Sequence, residues 1–153
     1  PPGWELQAEQ LTAVLLSAMR SHEIAVVDFS RSLGSAGSEA LRRAELAVLV
    51  VRDDVRGVAA GREVARELER DCDRLGLVVR QGRSRMLEPT LVASGVGWPL
   101  LGSFDDDPAL VLAAERGDPP ARSGRGSLAQ LCRRVLGELP PAHPAHERAR
   151  VGA

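Results

Sequence analysis

The sequence predicts an α/β fold: a mainly parallel sheet flanked by helices, three layers deep. Three observations carry this. Apolar runs without alternation recur, as in LAVLVV at residues 46–51, and such runs fit strands buried on both faces. Stretches with apolar residues at helical spacing separate them. The predicted strands also run into polar, charged exits, and open α/β sheets collect ligands outside the carboxyl ends of their strands. The predicted order is αβαβαβαβαα, which implies parallel pairing through right-handed crossovers. One domain is expected over residues 1–139, with 140–153 (PPAHPAHERARVGA) as a disordered tail.

The first helix is predicted over about residues 5–21, where Leu11, Val14, Leu15, Ala18 and Met19 form one stripe. EIAVVDF, residues 23–29, reads as a short, nearly all-apolar strand. A loop follows, SRSLGSAGS, and Ser38 is placed to cap a short helix through Ala44. Residues 46–51 are the second strand. Asp54 is placed to cap a long helix to about Arg74, whose stripe is Val58, Gly61, Val64, Ala65, Leu68, Cys72 and Leu75. The opposite face, with Glu63, Arg66, Glu67 and Arg70, reads as solvated.

Gly76 is expected to break that helix before a third strand, LVVR. SRMLEPTLVASG reads as a short helix interrupted near Pro89. Trp98 is expected to pack at the start of a fourth strand, PLLGSF. Asp107 before Pro108 has the pattern of a cap followed by proline at the first helical position, and that helix is expected to end near Gly117. Ser127 with Gln130 has the spacing of a capping box for the last helix. Leu128, Leu131, Cys132, Val135, Leu136 and Leu139 give its buried stripe.

Composition narrows the chemistry. The chain has 153 residues, 44% of them hydrophobic, with a formal net charge of −1. This is globular composition, and it argues against a generally basic nucleic-acid binder. Every basic residue among the 20 is arginine. No lysine is present to form a Schiff base or to reach a β/γ-phosphate from a P-loop. Cys72 and Cys132 lie on apolar stripes, so buried reduced thiols are expected. No CxxC pair occurs, which argues against a metal site. No signal peptide is expected from the Pro-Pro-Gly start, and no apolar run approaches membrane-spanning length.

Four strand exits hold the candidate site residues: 28–31, 52–54, 80–85 and 104–107. Asp28 either orients a metal-bound water or ends a strand and caps the next turn. Arg31 is either a bidentate phosphate donor or a solvated loop residue. Arg80, Arg83 and Arg85 gather at one exit, where they either contact phosphate or lie in solvent. Asp105, Asp106 and Asp107 resemble a metal cluster, but adjacent side chains diverge and an EF-hand needs alternate positions. Acids at a helix start, favoured by the helix dipole, explain them better.

Four segments in this order resemble the carboxyl-terminal part of a MinD/ParA-type ATPase, nearest the CpaE-like branch and its actinobacterial septum site-determining proteins. The resemblance covers residues 5–139. AVVDFSRSLG is similar to the family's switch-II strand, with Asp28 on the acid and Ser30 in place of a proline. SEALRRAELAVLVV matches a helix-and-strand stretch, with Glu45 where aspartate is common. LGLVVRQGRSR falls where the family ends a strand in the asparagine that reads adenine; here Arg80 holds that place. LLGSFDDDPALVLAAERGDPP keeps the family register through Gly117 and Pro119, with Asp105 where a proline is expected.

The resemblance implies a P-loop NTPase-like fold that is incomplete, since no GKGGxGK-like phosphate loop precedes the first predicted strand. It implies ATP and Mg²⁺ as cofactors of the intact parent and none for this chain alone. Asp28 becomes the acid that orients a magnesium-bound water, and Arg31, Arg80, Gln81, Phe104 and Asp105 become nucleotide-side candidates. The implied function is spatial positioning in septum placement and cell division, with partners in division or secretion machinery, a homodimer, and a cytoplasmic location. DNA is a less favoured partner. The competing reading is a non-catalytic interaction module that helps localise pilus or secretion machinery. The substitutions at Ser30, Arg80 and Asp105 favour it.

Overall fold

The computed structural model describes residues 7–29 and 34–140. The chain divides into two compact units, Pro1–Glu45 with Pro140–Ala153, and Leu46–Leu139. The predicted tail falls almost wholly outside the described residues.

In the first unit, α1 (Ala8–Ser21) packs against α2 (Gly34–Arg42). Gln7 begins α1 by a reciprocal bond with the first turn, its backbone N–H donating to Gln10 Oε1 at 3.1 Å. Of the stripe expected there, Leu15 is buried, while Val14 and Met19 are exposed. Helix α2 starts earlier than the cap pattern at Ser38 implied and buries Gly37, Ala40 and Leu41. Its Glu39 bridges Arg42 at 2.9 Å and Arg43 at 2.6 Å.

The strand expected at residues 23–29 is a correction. The segment belongs to no sheet among the described residues, and Val26 is 91% exposed. An apolar run becomes a strand only when a neighbour accepts its backbone bonds, and among the described residues none does.

The second unit holds the sheet: β1 (Ala47–Arg52), α3 (Val55–Leu68), β2 (Leu75–Gln81), α4 (Pro89–Val96), β3 (Leu100–Asp105), α5 (Pro108–Glu115) and α6 (Ser127–Glu138). The strand order is β1-β2-β3, and both pairs are parallel, as the non-alternating runs predicted. Side-chain contacts sort the layers. Gly61 of α3 lies against Val51 and Val96, so α3 and α4 share one face. On the other face, α6 sets Leu131 into a core with Val78 and Leu101. The result is three layers, helix–sheet–helix.

Several boundaries moved for local reasons. Helix α3 ends at Leu68 rather than near Arg74, because the N–H groups of Asp71 and Cys72 both turn back to the Leu68 carbonyl. Gly76 is a strand residue, not a breaker: the Leu101 side chain occupies the space a Cβ would need. Pro89 opens α4 instead of interrupting it, which suits a residue without an N–H. Gly126, with φ of 90°, begins α6, and Ser127 is already helical. Cys72 is buried as expected, but Cys132 is exposed. No helix among the described residues is long and apolar enough to cross a membrane.

Candidate functional site

The carboxyl rim of the sheet is built by register. Parallel pairing aligns Arg52 with Arg80 and Arg80 with Phe104; the next row aligns Gln81 with Asp105. Four residues proposed from sequence, Arg80, Gln81, Phe104 and Asp105, therefore meet at one edge. Asp28 belongs to the other unit, where it is exposed. Arg31 lies outside the described residues.

Backbone bonds extend the rim past the ladders. The Asp53 N–H donates to the Arg80 carbonyl at 3.3 Å, and the Asp106 N–H donates to the Gln81 carbonyl at 2.9 Å. These bonds hold the exits of β1, β2 and β3 together. Asp105 N–H in turn donates to Ser127 Oγ at 3.0 Å, tying β3 to the first residue of α6.

Charge at this edge is organised into pairs. Arg80 Nε pairs with Asp106 Oδ1, and Arg85 donates to Asp105 Oδ1 at 2.8 Å. Arg52 reaches Asp54 Oδ2 at 3.2 Å. Asp54 caps α3, accepting the Gly57 N–H on Oδ1 at 2.7 Å. That bond first, and Arg52 second, hold the Asp54 carboxyl below the usual aspartate range. Asp107 caps α5 through the Ala109 N–H at 2.8 Å, so each member of the aspartate triplet has a separate partner. Among the described residues, no cluster of three or more metal-ligating side chains forms.

Asp53 is the residue that sequence reasoning passed over. It is the buried charged residue of the rim, 2% exposed, with Oδ1 accepting the Gly82 N–H at 3.0 Å and Oδ2 buried without a hydrogen-bond partner. The signal was an acid placed directly after the apolar run of β1, beside a second acid that takes the capping role.

The donor set determines what this rim fits. Phosphate binding needs uncommitted cations or a cradle of backbone amides. The guanidiniums of Arg80 and Arg85 already hold carboxylates, so these residues do not make a triphosphate cradle. No chemical step through ATP or magnesium follows from them.

No protein-family profile matches the chain. Two uncharacterised proteins of Mycobacterium tuberculosis, from strains H37Rv and CDC 1551 / Oshkosh, are each 40% identical over 140 residues. The match covers 92% of this chain but only 40% of each relative. Among solved structures, the MinD cell division protein of Aquifex aeolicus aligns with a TM-score of 0.72 at 20% identity, over 91% of this chain and 64% of that one. A chain of the MinC:MinD cell division protein complex of the same organism gives 0.73 at 20% identity, covering 94% and 64%. A ParA family ATPase from Chlorobium tepidum gives 0.71 at 13% identity, covering 88% and 60%. Identities this low speak to the arrangement of the backbone alone. This chain has a MinD/ParA-like fold.

Proposed function

We propose that this chain is part of a MinD/ParA-like positioning protein that acts in cell division, within the branch that places the septum. The observation that carries this reading is the parallel sheet with the MinD/ParA arrangement, reached at TM-scores of 0.71 to 0.73. In this reading the whole protein binds ATP with Mg²⁺, Asp28 orients a metal-bound water, and the rim of Arg80, Gln81, Phe104 and Asp105 lies on the base side. The phosphate cradle comes from polypeptide outside these residues, since the chain spans 40% of the length of its curated relatives. The partners are proteins of the division machinery, by analogy with the MinC:MinD complex, and a second copy of the protein. The proposed location is the cytoplasm.

A specific observation favours a second reading. The Arg80–Asp106 and Arg85–Asp105 pairs neutralise the rim from within. A rim without net attraction for a polyanion suits a non-catalytic interaction module that helps localise division, pilus or secretion machinery. DNA binding suits it less well for the same reason.

Thermal unfolding of the protein at its natural length separates the two. The switch reading expects ATP with magnesium to raise the melting temperature, and Asp28→Ala to abolish that rise. An unchanged melting temperature at millimolar ATP rejects the switch and leaves the interaction module.

A further inference from the structure

Strand β3 pairs only with β2 among the described residues, so its far side is a sheet edge. Part of that edge is closed. The Asp106 N–H turns inward to the Gln81 carbonyl, and the Asp105 N–H turns outward to Ser127 Oγ. The two-residue period of a strand then points the N–H and carbonyl of Ser103 outward as well. Among the described residues no hydrogen bond meets them there. An unpaired edge of this kind is a template for another strand.

A groove of about 400 Å³ lies beside this edge. Leu100 and Leu131 supply its apolar surface, and Ser103, Ser127 and Gln130 its polar groups. Among the described residues lining it, Arg134 alone is charged. Its Cδ lies 4.0 Å from the point where a Cβ on Gly102 would stand, and Leu131 Cδ1 lies 2.9 Å from that point. Glycine at 102 therefore lets α6 approach closely and brings a guanidinium stem beside β3.

Charge complementarity names the occupant. The rim residues Arg80 and Arg85 are committed to Asp106 and Asp105. Arg134 has no ion pair or hydrogen bond among the described residues. Its surroundings do not cancel it either: residues 119–137 carry Arg122, Arg125, Arg133 and Arg134 and no acid. Arg122 reaches back to Asp118 at 3.5 Å, while Arg133 donates to the neutral Gly124 carbonyl at 2.9 Å. The first residues of α4 and α6, Pro89 and Ser127, also line the groove, so two positive helix ends add to the field.

We propose that the β3 edge is a docking site for an extended acidic segment of another protein, which adds as a strand beside Ser103 and sets a carboxylate against Arg134. Backbone bonds to the edge supply affinity in such docking, and alternate side chains supply selectivity. A carboxylate on a guanidinium is a charge-assisted pair that the groove cannot complete by itself. Docking of this kind is independent of whether the protein binds nucleotide.

An array of synthetic peptides tests it on the protein at its natural length. The peptides are about six residues long, the usual length of a strand, with glutamate at alternate positions and Val, Ile, Thr or Phe between. Control arrays carry lysine for glutamate, or N-methylated backbone at alternate residues. Binding to acidic peptides and to neither control is expected. Arg134→Gln, at an exposed position, should weaken that binding about tenfold or more, and Arg134→Glu should transfer it to the lysine peptides. The Ser103 amide should exchange more slowly with the best acidic peptide bound, while the Asp105 amide, already bonded to Ser127, stays unchanged. Failure of every acidic peptide to bind overturns the proposal. So does binding that survives backbone methylation or Arg134→Gln, or that leaves Ser103 exchange unaltered. A single-stranded oligonucleotide that binds more tightly than any peptide and is lost in Arg134→Gln assigns the groove to nucleic acid and overturns it too.

Discussion

Asp53 Oδ1 accepts the backbone N–H of Gly82 at 3.0 Å, joining the exits of two neighbouring parallel strands. The two residues are 29 apart in sequence. The bond fixes where the chain turns after β2 and so where Arg85 can reach Asp105. A buried carboxylate is an expensive way to accept one amide bond, because its other oxygen remains desolvated without a partner.

That asymmetry yields a prediction. Asp53→Ala leaves the Gly82 N–H without its acceptor and is expected to destabilise the fold by about 1–3 kcal/mol. Asp53→Asn keeps an acceptor oxygen for the Gly82 N–H and replaces the charged, unpartnered oxygen with a neutral NH2, so it is expected to lose less stability than the alanine variant. Urea unfolding of the three proteins measures this. If the asparagine protein loses as much as the alanine protein, Asp53 is held by a contact other than Gly82.

Gly76 and Leu101 form a second linked pair. The Leu101 side chain fills the space where a Cβ on residue 76 would stand. Gly76→Ala is therefore expected to overpack the α6 side of the sheet, at about 1–3 kcal/mol. Leu101→Ala alone opens a cavity and costs about 2–5 kcal/mol. Combining them should cost less than the sum, with a coupling of about 0.5–3 kcal/mol. Strict additivity in the double-mutant cycle would place the effect of Gly76 in the backbone and not in the contact.

Trp98 is buried and its Nε1 donates to Glu69 Oε1 at 2.8 Å. Glu69→Gln retains an acceptor and is expected to be nearly neutral. Glu69→Leu leaves the indole N–H unmatched and is expected to lose about 1 kcal/mol. Equal melting temperatures for the two variants would mean that the indole finds another acceptor.

The sheet was legible because parallel strands buried on both faces write themselves as unbroken apolar runs, and Leu46–Val51 and Leu77–Val79 are such runs. Helix starts were legible where a side chain does the capping, as at Asp54 and Asp107. They were misread where the backbone does it, as at Gly126. Residues 23–29 misled because their composition is right for a strand, while a strand also needs a neighbour that composition cannot supply. The rim was half legible. Exits rich in Arg and Asp announced themselves, but whether Arg80 serves a ligand or Asp106 depends on distances between residues 26 apart. The importance of Asp53 could not be separated from that of Asp54 until burial distinguished them.

Acid should weaken the fold through Asp54. The Gly57 N–H and then Arg52 stabilise its ionised form, so its folded pKa lies below its unfolded value. With a depressed folded value, the unfolded chain takes up the proton first as pH falls. The stabilising contribution is complete above the ordinary aspartate range and disappears as pH drops through the folded value. Glu39, held low first by its bond to Arg42, acts in the same direction. Asp54→Asn preserves a side-chain oxygen for the Gly57 N–H but removes the titration. The variant is expected to show a shallower loss of stability between about pH 5 and pH 2 than the parent, and to differ little from it in salt-free acid below that window. Unfolding midpoints recorded across this range test the sign directly: a steeper acid limb in the asparagine protein would mean that Asp54 is stabilised in its protonated form.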